Sequence, residues 1–157
     1  MVNKKKGLVL LVIILVLTTL IIGCASMFGG GSASAPSSFQ SGSGSRGDTT
    51  ILLRQNLQFE QAFRDIVFIL NRNGFEPEMM QPEVGYIRTR WNNSWNDRGT
   101  HTDFYRVRVI IQFNSNRTQL ILSAPAEYAR SGEAWQSGFD TRAVETLRND
   151  LTQIIGN

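Results

Sequence analysis

At 157 residues with a formal net charge of +3, the chain has room for one domain and short appendages. The charge is unevenly placed. Lys4, Lys5 and Lys6 are the only lysines, and beyond residue 23 thirteen arginines face thirteen acids. A neutral body argues against a general nucleic-acid-binding surface, which needs clustered positive charge, and a single cysteine excludes any intrachain disulfide.

The three lysines precede Leu8–Ile22, an apolar run broken only by two threonines. At 1.5 Å per residue its helix would span roughly 22 Å, short of the ~30 Å hydrocarbon core, so residues 1–23 read as a signal peptide. The run ends in Ile21-Ile22-Gly23-Cys24, which resembles the lipobox of bacterial lipoprotein precursors. The resemblance implies S-diacylglycerol on the Cys24 sulfur, cleavage after Gly23 and an N-acyl group on the new terminus. Two or three acyl chains give a stable palmitate-type membrane anchor, since each buried methylene contributes ~0.8 kcal/mol. The lysine flank stays inside, placing residues 24–157 outside the cytoplasm in the cell envelope. Ala25, where aspartate would favour retention at the inner membrane, favours the outer membrane by analogy with enterobacterial lipoproteins.

Residues 24–49 are mainly Ser, Gly and Ala and read as a flexible tether, with a root-mean-square reach of about 25–30 Å. Arg46-Gly47-Asp48 within it reads as a chance tripeptide.

Residues 50–157 form the domain. Thr50–Arg54 is a short strand. Phe59, Ala62, Phe63, Ile66, Val67 and Leu70 make the apolar stripe of a helix, which Asn73-Gly74-Phe75 ends with a left-handed cap. Tyr86–Trp91 alternates, placing Ile87, Thr89 and Trp91 on the core side of a strand. Phe104–Phe113 alternates again, with Tyr105, Val107, Val109, Ile111 and Phe113 opposed by Arg106, Arg108 and Gln112. Asn114–Arg117 is a turn and Thr118–Ala124 the returning strand. A second helix starts at the N-cap Asp140, with Val144, Leu147, Leu151, Ile154 and Ile155 as its stripe. The order β-α-β-β-β-α predicts an α+β fold, one antiparallel sheet with both helices packed on the same face.

This succession resembles the helix-grip domain of BamC/NlpB-type lipoproteins, accessory proteins of outer-membrane β-barrel assembly. It is carried by the Asn-Gly-Phe helix end, Gly85-Tyr86-Ile87-Arg88-Thr89-Arg90-Trp91, Tyr105-Arg106-Val107-Arg108-Val109 and the last helix. It covers about residues 50–155 and departs from the family in having one domain and a Gly/Ser-rich tether. The resemblance implies a helix-grip module on a lipid anchor.

Enzyme signatures are lacking. His101 is the sole histidine, and with Asp97 and Asp103 it offers too few ligands for a metal site. Nucleophile-elbow, phosphate-loop and dinucleotide motifs are missing from the sequence, so neither a catalytic residue nor a cofactor beyond the covalent lipid is expected. Arg88, Arg90, Arg106 and Arg108 should gather on the outer sheet face, either as a contact patch or neutralised by acids such as Glu78, Glu83 and Asp103, the second being favoured. Trp91 reads as core, whereas Trp95 and Trp135 are the better exposed candidates, either for binding or for simple loop packing, the second being favoured. The expected function is a membrane-anchored, non-catalytic protein-interaction or assembly module with an envelope protein partner. The alternative is a carrier or sensor holding a hydrophobic ligand or lipid between helices and sheet.

Overall fold

The computed structural model describes residues 35–42, 47–95 and 103–157. Among them are two helices and nine strands, arranged in two antiparallel sheets. The fold is α+β, with both helices on the inner side of the sheets.

The strands are β1 (Phe39–Ser41), β2 (Thr49–Leu52), β3 (Pro77–Gln81), β4 (Tyr86–Thr89), β5 (Asp103–Val107), β6 (Ile110–Phe113), β7 (Gln119–Ser123), β8 (Pro125–Arg130) and β9 (Gln136–Asp140). The helices are α1 (Phe59–Arg72) and α2 (Thr141–Ile155). One sheet has the order β1-β9-β8-β5, the other β2-β7-β6-β4-β3.

The single sheet expected from the sequence is thus two, and the reason lies at one backbone crossing. The alternating run 104–113 breaks at Arg108–Val109, and its partner breaks at Ala124–Pro125, so one long hairpin serves both sheets: β5 pairs with β8, and β6 with β7. Pro125 has no N–H and cannot donate to a ladder, but its carbonyl accepts from the Arg108 N–H at 3.0 Å. At the break the buried Thr89 supplies the missing partner, its Oγ1 accepting from the Val109 N–H at 2.8 Å. Side-chain alternation runs through undisturbed, and Val107, Val109, Ile111 and Phe113 are all buried.

Helix α1 buries Ala62, Phe63, Ile66, Ile69 and Leu70, and α2 buries Ala143, Leu147, Leu151 and Ile155. These pack on Ile51, Ile87, Ile111, Leu120 and Leu122 in one cluster, each large side chain contributing about 1.5–3 kcal/mol. The end of α1 is as expected. Gly74 has φ +78°, the Gly74 N–H donates to the Asn71 carbonyl and the Phe75 N–H to that of Leu70, and Phe75 is wholly buried. Asp140 caps α2, accepting from the Ala143 N–H at 2.6 Å.

Three segments depart from the sequence reading, the first being Pro77–Gln81, which was not expected as a strand and forms β3, paired with β4. Residues 39–41, inside the stretch 24–49 expected to be a tether, form β1 and pair with β9. Residues 125–140, left without strands by that reading, form β8 and β9. Their polarity hid them, because β9 carries a single large apolar side chain, Phe139.

Candidate functional site

Strand β5 presents alternate residues outward, Phe104 and Arg106, and Arg108 continues the series past its end. Directly across from Arg106 on β8 stands Glu127. The Arg106 Nε and Nη2 both donate to Glu127 Oε2, at 2.7 and 2.5 Å. The same guanidinium lies 4.7 Å from the ring centre of Trp91 and 4.4 Å from that of Trp135. Arg108 sits 4.3 Å from Trp91, and Phe104 packs on Trp135 with 6.2 Å between ring centres. The result is a row, Phe104–Trp135–Arg106–Trp91–Arg108, in which guanidinium groups and aromatic rings alternate from Trp135 onward. Each ring–guanidinium contact contributes about 0.5–1 kcal/mol at an exposed site.

Two local features bring the tryptophans there. Trp135 follows the turn after β8, where Gly132 takes φ +83° and the Glu133 N–H donates to the Arg130 carbonyl; it remains 44% exposed. Trp91 was expected in the core by its parity with Ile87 and Thr89, and the structure corrects this. Thr89 pairs with Val109 and Asn92 with Val107, so three steps on one strand oppose two on the other. That extra residue is a β-bulge, and it reverses the alternation, turning Trp91 out onto the arginines.

Trp95 follows the packing alternative and not the exposed, binding one: it packs against the core with its ring 4.7 Å from that of Phe75, and its Nε1 is buried without a hydrogen-bond partner among the described residues. Arg142 of α2 lies 5.9 Å from its ring.

The four arginines do not act as one patch. Arg88 pairs with Glu78 at 3.2 Å and Arg90 with Glu76 at 3.8 Å, both at the β3–β4 side. Arg106 is neutralised by Glu127, and Arg108 alone of the four has no carboxylate partner among the described residues. Neutralisation by acids, the favoured reading, describes three of them, with Glu78 as foreseen and Glu76 and Glu127 not foreseen. Phe104, 53% exposed, was also missed, although its parity with Arg106 and Arg108 placed it on that face.

Beneath the same sheet lies a polar cluster. Asp140, fully buried, accepts hydrogen bonds from the Tyr105 hydroxyl, the Ser38 hydroxyl at 2.8 Å and the Ala143 N–H. Burial first, then the hydrogen bond to Asp140 and its negative charge, hold the Tyr105 phenol above its ordinary value. Phe39 packs on Tyr105 and Tyr128, with ring centres 6.1 and 5.9 Å away. Every donor and acceptor named here serves the docking of β1 and the start of α2.

A depression of about 330 Å³ lies at the β6–β7 turn, lined by Glu83, Val84, Gln112, Asn114 and Arg117 among others. It is mainly polar-walled and lies outside the space between helices and sheet. Cys24, Asp97 and His101, and the side chain of Asp103, lie outside the described residues. Among the described residues no three His, Cys, Asp or Glu side chains are grouped to hold a metal ion. No helix among them is long and apolar enough to cross a membrane.

In comparisons with known proteins, no family model and no curated protein matches the chain.

Proposed function

We propose that this chain is a lipid-anchored protein of the bacterial envelope, held at Cys24, whose domain is a non-catalytic protein-interaction module. Its contact surface is the outer face of β5 and the β8–β9 turn. The observation that supports this reading is the row of Phe104, Trp135, Arg106, Trp91 and Arg108. Tryptophan and arginine in a packed, pre-ordered cluster are the residues that dominate binding energy at protein interfaces. Stacking and the Glu127 pair hold Arg106 in one geometry, so little side-chain entropy remains to be lost on association. Outer-membrane-protein assembly is the setting we propose, on the strength of the helix-grip resemblance.

The carrier alternative has less behind it. The facing side chains of α1, α2 and the sheet are at or near zero exposure and belong to one packed cluster.

In-cell photo-crosslinking tests the reading. A photoreactive residue at position 135 of the full chain should capture a discrete envelope protein, and one at Phe68, an exposed aromatic of α1, should not. Cys24→Ser should abolish acylation and release the chain from the membrane fraction, as read by intact mass. Equal capture from both positions, or none from 135, contradicts the proposed surface; an unacylated wild-type chain contradicts the anchor.

A further inference from the structure

We propose that Arg108 is the receptor for a carboxylate of the partner, so that the bound segment is an acidic peptide with an apolar residue beside its acid. This rests on the interaction reading above and names the chemistry of its partner.

Arg88, Arg90 and Arg106 each have a glutamate. Among the described residues Arg108 has no carboxylate partner and lies against Trp91, at 4.3 Å. Among the described residues its Nε is buried without a hydrogen-bond partner, and the residue as a whole is half-buried. A guanidinium held against an aromatic ring can still present two N–H groups to the two oxygens of a carboxylate. The contact with Trp91 also restricts the side chain before any ligand arrives. Because Glu127 offsets Arg106, one positive charge on the row, that of Arg108, is uncompensated among the described residues.

The aromatic neighbours complete the site. Phe104 and Trp135, half-exposed and in contact with each other, offer an apolar surface next to the charge. An apolar partner residue seated there excludes water, which strengthens the ion pair. A protein carboxylate fits better than a lipid phosphate. Attraction to an anionic membrane yields about 1 kcal/mol per basic residue and needs several of them, and the chain beyond residue 23 has equal numbers of basic and acidic side chains.

The test uses the purified full chain with its anchor, in detergent, and two short capped peptides. One alternates glutamate with tyrosine; the other replaces each glutamate by glutamine. Binding is followed by tryptophan fluorescence. The glutamate peptide should bind at least about tenfold more tightly, the size of effect expected for a desolvated charge pair. Arg108→Gln should erase that preference with an unchanged circular dichroism spectrum, and Arg108→Lys should keep part of it as a point charge. Equal binding of the two peptides by the wild type overturns the proposal without needing any variant, as does a preference that survives Arg108→Gln. Displacement of the peptide by sn-glycerol phosphate at equal concentration overturns the choice of protein over lipid. Equal peptide binding with capture from position 135 intact sinks only the acid receptor, whereas loss of that capture sinks the interface itself.

Discussion

Asp140 is a carboxylate removed from water, and three donors from three parts of the chain replace that water: the Ser38 and Tyr105 hydroxyls and the Ala143 N–H. A buried charge with its lone pairs satisfied is tolerated, and removing one donor leaves it short. Tyr105→Phe should therefore cost about 1.5–3 kcal/mol in urea denaturation, as for a hydrogen bond to a charged group. The phenol also gives the domain a pH signature. Its folded value lies above the ordinary one of about 10, so its contribution is complete below pH ~10 and is lost as pH rises toward the folded value. Wild-type stability should fall in that alkaline range, and Tyr105→Phe should fall less; identical alkaline slopes would contradict the assignment. Asp150 shows the opposite shift. Hydrogen bonds from Asn73 and then Arg72 lower its value, and the contact ties the end of α1 to α2.

At the scale of elements, the sequence is legible where one face is continuously buried. The alternation from Val107 to Phe113 and the stripes of both helices follow from burial against a shared core, and the structure keeps them. Burial does not report where a ladder changes partner. The break at Arg108–Val109 leaves the parity of side chains untouched, so two sheets look like one. The bulge before Asn92 does the reverse, inverting parity without any signal in residue type, so parity alone places Trp91 in the core. Strand β1 was hidden because its pairing is a backbone matter. Phe39 is its only large apolar residue, and its place depends on Gly138 across the ladder. A Cβ at Gly138 would collide with the Gln40 carbonyl and the Phe39 ring. Gly138→Ala should therefore detach β1 while the helices keep their cooperative transition. Hydrogen exchange should show residues 39–41 losing protection and Leu147 and Leu151 retaining it; unchanged protection in β1 would contradict this account of its docking.

For the whole molecule, docking of β1 shortens the leash. Fourteen residues separate Cys24 from Phe39, which fully extended reach no more than about 50 Å. A domain held this near its proposed anchor meets membrane-bound partners at high effective concentration, so a modest contact surface suffices. The candidate site was only half legible. Arg106, Arg108 and Trp135 were named from residue type and parity, whereas Phe104, Trp91 and Glu127 joined them through a bulge and a cross-strand register that one sequence does not display. The central claim is that this row, and not exposed aromatic surface in general, carries binding. It is tested most directly by the affinity of the protein captured from position 135 for the full chain and two variants. Trp135→Ala should weaken binding at least about tenfold, the mark of a hot spot; Phe68→Ala, which removes an even more exposed ring, should leave it within about twofold. A loss at Phe68 as large as at Trp135, or none at Trp135, would contradict the account.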